Sequence, residues 1–140
     1  MLKQDQLIVQ SKLEDLTQVQ QWFDVFCSAS KLPWLEAVFD QVNLALAEGF
    51  TNAVRHAHSH LPTDTPIEID LLLWQEKLEV QIWDMGKPFD PNKLTEPKPG
   101  TLKEGGYGWF LMRRLADNVD YERNDLGRHC LRIVKCSTAL

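Results

Sequence analysis

Ile67-Glu68-Ile69-Asp70-Leu71-Leu72-Leu73-Trp74-Gln75-Glu76-Lys77-Leu78-Glu79-Val80-Gln81-Ile82-Trp83-Asp84 decides the fold. Ile67, Ile69, Leu71 and Leu73 alternate with Glu68, Asp70, Leu72 and Trp74. Leu78, Val80 and Ile82 alternate with Glu79, Gln81 and Trp83. A period of two is that of a strand with one buried face. The short polar link Gln75-Glu76-Lys77 predicts an antiparallel hairpin. Asp84 keeps the parity of Leu78, Val80 and Ile82, so its carboxylate is expected on the side those residues bury, where it needs a partner.

The period changes on either side of the hairpin. Upstream, Leu13, Leu16, Val19, Phe23 and Phe26 recur at three- and four-residue steps, predicting an amphipathic helix over about 14–28. Pro33 suits the first turn of a second helix running to about His58, with Leu35, Val38, Phe39, Val42, Leu46 and Phe50 as its buried stripe and Pro62 beyond its end. Leu7 and Val9 suggest a short first strand. Downstream, about 88–107 is rich in proline and glycine and carries Lys93, Lys98 and Lys103. So long a connection without regular structure is expected to be functional. A helix from about Gly108 to Asp117 follows, then strands Val119–Arg123 and Cys130–Lys135 joined through Asn124-Asp125-Leu126-Gly127. The expected architecture is an α/β two-layer sandwich, helices on one face of a mixed, mostly antiparallel sheet, with 1–140 as a single domain.

Composition narrows the function. The net charge of −5 argues against a general nucleic-acid binder. No apolar run approaches a membrane span, and Met1-Leu2-Lys3-Gln4-Asp5-Gln6 lacks the apolar segment of a signal peptide. The three cysteines, Cys27, Cys130 and Cys136, are odd in number and widely spread, as expected of reduced thiols in a cytoplasmic protein.

Three stretches carry the chemistry: Glu48-Gly49-Phe50-Thr51-Asn52-Ala53, Asp84-Met85-Gly86-Lys87-Pro88-Phe89, and Gly105-Gly106-Tyr107-Gly108. Together they describe a pocket for ATP and Mg²⁺. Glu48 and Asn52 lie four apart on one helix face. An amide oxygen at Asn52 suits Mg²⁺, and Glu48 could take a proton from an attacking hydroxyl. Taken alone, the pair could equally lie on a solvated face. Gly49 inside a helix costs about 1 kcal/mol relative to alanine, which hints at a close approach there. The exocyclic amine of adenine would supply the donor that Asp84 needs. Gly86 has no side chain to block the base, and Pro88 and Phe89 stiffen the exit and flank the ring. Alone, Asp84 could be a turn aspartate. Gly105, Gly106, Tyr107 and Gly108 lead into a helix whose first N–H groups can face phosphate. His56, one turn beyond Asn52, is placed to border the phosphates. His58 and His60 are expected at a frayed polar helix end rather than in a metal site. The five tryptophans read as core and sheet-face packing, with Trp74 and Trp83 as a possible exposed patch for a partner.

In this order the boxes Glu-x-x-x-Asn-Ala, Asp-x-Gly-x-Pro-Phe and Gly-Tyr-Gly, followed by Leu-Met-Arg-Arg-Leu, resemble the anti-sigma-factor serine kinases of the RsbW and SpoIIAB type. These are small members of the Bergerat-fold ATPase superfamily. The resemblance runs from about residue 7 to 136. It implies Glu48 as the acid that activates an acceptor hydroxyl, Asn52 as the Mg²⁺ ligand, Asp84 and Gly86 as the adenine-binding pair, and Gly106 and Gly108 as phosphate-contacting glycines under an ATP lid at about 90–107. It further implies transfer of the γ-phosphate of ATP to a serine on a STAS-type antagonist, sequestration of a sigma factor by many members, and a homodimer. Trp109 stands where such proteins often have leucine. A non-catalytic, ATP-dependent module that sequesters a partner is the alternative. The catalytic domain of a histidine kinase fits less well, because no dimerisation helix with an acceptor histidine is present.

Overall fold

The computed structural model describes residues 1–86, 107–123 and 127–137. The chain forms β1 (Lys3–Gln10), a short 3-10 turn, α1 (Leu16–Ser30), α2 (Pro33–Asn52), a π-helical turn (Ala53–Ala57), β2 (Pro66–Leu73), β3 (Lys77–Asp84), α3 (Tyr107–Leu115), β4 (Asn118–Glu122) and β5 (His129–Cys136). The strands make one sheet in the order β1-β2-β3-β5-β4. Every pairing among the described strands is antiparallel, so the sheet is not mixed. The final hairpin folds back so that β5 lies between β3 and β4. This sets Asp84 opposite His129, and Leu131 opposite both Ile82 and Tyr121.

The hairpin follows its alternation. Ile67, Ile69, Leu71 and Leu73 of β2 and Leu78, Val80 and Ile82 of β3 are buried, and Asp84 is buried with them. The Trp74 N–H donates to the Lys77 carbonyl at 2.8 Å and closes the turn. On the other face, Arg132 reaches Glu79, Asp120 and Glu122 at 3.3–3.5 Å, and the Trp83 indole donates to Asp70 at 3.0 Å. That face is therefore polar and internally paired. Arg128 lies 4.5 Å over the Trp83 ring and Lys77 4.5 Å over that of Trp74, so neither expected surface tryptophan is a bare apolar patch.

Helix α2 is the spine of the helical layer, touching α1, α3, β3 and β5. Leu35, Val42, Leu46 and Phe50 are buried along it, beside Phe23 of α1 and Met112 of α3. Burying such a side chain contributes about 1.5–3 kcal/mol relative to leaving it exposed. Lys31 ends α1 at φ 55°, and Pro33 then opens α2 with a φ suited to a first turn. The helix expected to reach His58 is α-helical only to Asn52. It then widens, with the His58 N–H bonding to the Ala53 carbonyl at 2.9 Å. The widened turn presses the Ala57 carbonyl onto the end of β3, where a Cβ added at Gly86 would fall 1.7 Å from the Ala57 oxygen.

Gly49 is where α2 crosses the sheet. A Cβ there would lie 2.6 Å from Ile82 Cδ1 and 3.0 Å from Leu131 Cδ2. Alanine gains about 1 kcal/mol in helix propensity, but overpacking a filled core costs about 1–3 kcal/mol. Gly49→Ala is expected to lower the urea midpoint despite its better helix propensity. A raised midpoint would show that the crossing has room.

Candidate functional site

Asp84 is the last residue of β3 and only 3% exposed. Two donors converge on it. The Gly86 N–H reaches Oδ1 at 3.1 Å, and the Tyr121 hydroxyl reaches Oδ2 at 3.1 Å. Burial pushes the Asp84 carboxyl above its ordinary range, while these two hydrogen bonds, His129 and His58 pull it back.

His58 is buried at 2% exposure, not part of a frayed polar end. The π turn brings it under the strand end, where Nε2 accepts the Met85 N–H at 2.9 Å. That bond assigns the proton to Nδ1, which is buried and without a partner among the described residues. His56 and His60 are exposed. The buried stripe Leu46, Phe50, Ala53, Ala57 leads to His58 and is the one sequence signal that could have found it. Tyr121 and His129 had no local signal, because only the strand order brings them to Asp84.

The first and third stretches meet. A Cβ placed on Gly108, in the first turn of α3, would lie 2.7 Å from Glu48 Oε2 and 3.3 Å from Asn52 Oδ1. The close packing of these helices thus leaves the carboxylate and the amide side by side. The first and second stretches meet as well. Asn52, Ala53, Ala57, Ile82, Asp84 and Tyr121 line one cavity, with Gly49 and Leu131 completing it. Glu48 is half-buried beside it on α2, and His56 is not among the lining residues. Trp109 is buried in the core beside Met112. Lys87, Pro88, Phe89, Gly105, Gly106 and the expected lid up to residue 106 lie outside the described residues, and α3 begins at Tyr107.

The donor set is of the kind an adenine amine needs: a carboxylate already holding two donors keeps lone pairs for a third. The cavity between it and Asn52 is mostly apolar and, at about 10 Å³, water-sized, so a base would enter only as the site widens. No cluster of three His, Cys, Asp or Glu among the described residues could hold a metal unaided. An amide oxygen such as that of Asn52 would suit Mg²⁺, an ion bound through few protein groups together with substrate phosphates. The buried thiols of Cys27 and Cys130 are pushed up to about 12 by burial, which suppresses the reactive thiolate. No helix among the described residues is long and apolar enough to cross a membrane.

The profile of the family described as "Histidine kinase-like ATPase domain" matches residues 9–135. A relative named "Serine-protein kinase RsbW" from Bacillus pumilus is 30% identical over 105 residues, covering 69% of this chain and 65% of its own length. A protein of the same name from Listeria monocytogenes serotype 4a is 31% identical over 99 residues, covering 65% and 62%. The chain thus spans slightly less than two thirds of these relatives. A structure described as the RsbU and RsbW domains of Rv1364c from Mycobacterium tuberculosis superimposes with a TM-score of 0.65 over 96% of this chain and 33% of that one. At 13% identity it speaks to the fold alone.

The buried histidine makes stability depend on pH. Burial lowers the His58 pKa, with the Asp84 charge opposing. The folded state therefore favours neutral imidazole. Its contribution is present above the unfolded value of about 6.5 and is lost as pH falls below it. Asp84, with its raised carboxyl, acts with the opposite sign: its contribution is present at low pH and lost as pH rises. Comparison with His58→Gln, which keeps an acceptor but no titrating group, isolates the histidine. Between pH 7 and 5.5 the wild type is expected to lose more stability than the variant, by at most about 1.4 kcal/mol per pH unit. Parallel denaturation curves would refute it.

Proposed function

The chain belongs to the histidine kinase-like ATPase domain family, and from that premise we propose that it is a magnesium- and ATP-dependent protein serine kinase acting on a small protein partner. The observation that carries the reading is that a side chain at Gly108 would meet both Glu48 and Asn52, while Asn52 and Asp84 line one cavity. Residues from α2, β3 and α3 then surround one nucleotide.

Asp84 accepts the adenine amine, and Gly86 keeps that approach free of a side chain. Asn52 holds the metal, which, when bound, offsets the charge of the phosphate oxygens. The first N–H groups of α3, beginning next to Glu48 and Asn52, face the phosphates. Glu48 orients the acceptor serine and takes its proton as the hydroxyl oxygen bonds to the γ-phosphorus and ADP departs. Such transfers rest mainly on positioning and electrostatics. The partner is a STAS-type antagonist, as in the anti-sigma kinases that the sequence resembles. A sigma factor held inactive, a homodimer and a cytoplasmic setting belong to the same reading.

Labelled ATP, purified STAS partners and calorimetry test it. Glu48→Ala is expected to keep nucleotide affinity and to lose transfer by about 10²-fold or more. Transfer at the wild-type rate would remove Glu48 from the chemistry, and nucleotide binding without transfer by the wild type itself would leave a binding module. Asp84→Asn is expected to weaken ATP binding about tenfold or more, the scale of a hydrogen bond to a charged group. Unchanged affinity would place the base elsewhere.

A further inference from the structure

We propose that Tyr121 is the positioning residue that presents Asp84 to the adenine amine and sets how far into the acid range adenine binding persists. The inference rests on the adenine site proposed above. Tyr121 sits on the edge strand β4, and β5 separates it from β3. Its hydroxyl nevertheless crosses β5 to Asp84 Oδ2 at 3.1 Å, and its ring lines the same cavity as Asp84 and Asn52. The ring centroid is 6.1 Å from that of His129, which flanks the same strand end.

The chemistry turns on what a buried carboxylate does without donors. Desolvation favours its protonated form. A proton would turn one Asp84 oxygen into a donor and spoil a site shaped by two donors already aimed at the carboxylate. The Gly86 N–H is backbone and comes with the turn. The Tyr121 hydroxyl is the one side chain seen hydrogen-bonding the carboxylate among the described residues. Burial, with the Asp84 charge next, pushes the phenol well up, so it remains a donor through the working pH range. The other titratable and charged groups facing this pair are His58 from the π turn, His129 and Cys130 from β5, and Arg123 at the end of β4. His129 and His58 favour the ionised carboxylate only as cations, a form in which His58 would give up the Met85 N–H, and neither fixes its orientation.

The experiment is calorimetric titration of the full chain with ADP and with inosine diphosphate, in which a carbonyl replaces the amine, from pH 5.5 to 8.5. Wild type and Tyr121→Phe are compared, the variant keeping the ring and losing only the hydroxyl. The wild type should prefer ADP. Tyr121→Phe should lose ADP affinity a few-fold at pH 8.5 and by an increasing factor towards pH 5.5, approaching about tenfold per pH unit once Asp84 protonates. Its preference for ADP over inosine diphosphate should shrink. Adding Asp84→Asn should remove the excess pH dependence of Tyr121→Phe, which a merely structural role for the ring would not predict. A uniform loss at every pH, or no loss, with the ADP preference intact would overturn the role of Tyr121 and leave the adenine site standing. A wild type that binds neither nucleotide, or both equally, would overturn the adenine site and this inference with it.

Discussion

A carboxylate that continues an apolar row cannot be buried without donors, and the end of β3 is organised around that constraint. Asp84 follows Leu78, Val80 and Ile82 onto the helix-facing side of the sheet. An unpaired ionised group there would be costly enough to force neutralisation or a rearrangement. The fold brings a backbone N–H from the next turn, a phenol from two strands away and two histidines from separate elements to the same place. Even so, the balance leaves the carboxyl raised, with burial outweighing the partners. Such residual frustration is common where a buried group serves a ligand rather than the fold.

Two glycines mark where α2 meets its neighbours most closely. At Gly49 the helix lies so close to β3 and β5 that even a methyl group would strike Ile82. At Gly108 the start of α3 lies close enough to α2 that a methyl group would displace the carboxylate end of Glu48. One close approach sets α2 over Asp84, and the other sets α3 beside Glu48 and Asn52. In the reading proposed above, a larger side chain at either position would disturb groups that act on a single molecule, and such chemistry is sensitive to displacements of about 1 Å.

What the sequence disclosed follows from the range of the interactions. The β2–β3 hairpin was readable because a strict period of two with one buried face leaves no other register, and Asp84 was readable with it as an extension of that parity. The buried stripe of α2 was readable through Phe50. Beyond Asn52 the π turn changes the number of residues per turn, so a 3.6-residue reading lost His58 and took it for part of a frayed end. Tyr121 and His129 were unreadable for a different reason. Nothing local says that β5 inserts between β3 and β4, and without that order neither residue is near Asp84. The glycines Gly49 and Gly108 fell between these cases: the sequence marked them as unusual, and only the packing gave the reason.

The same geometry separates two demands that a nucleotide-binding protein must meet in one place. Stability in the empty state favours a neutral Asp84, because the charged form is desolvated. Recognition of an amine, in the reading proposed above, favours the ionised form. Donors placed on elements other than β3 reconcile them, since each lowers the cost of the charge. Tyr121 does this from β4. His58, from the turn after α2, acts differently: its neutral Nε2 accepts the Met85 N–H and holds the backbone between Asp84 and Gly86. His58 can hold that N–H only while neutral; as an imidazolium its charge would favour an ionised Asp84, but the bond to Met85 would be lost. The ionisation of Asp84 and the integrity of the β3 terminus are thus linked through the proton on His58.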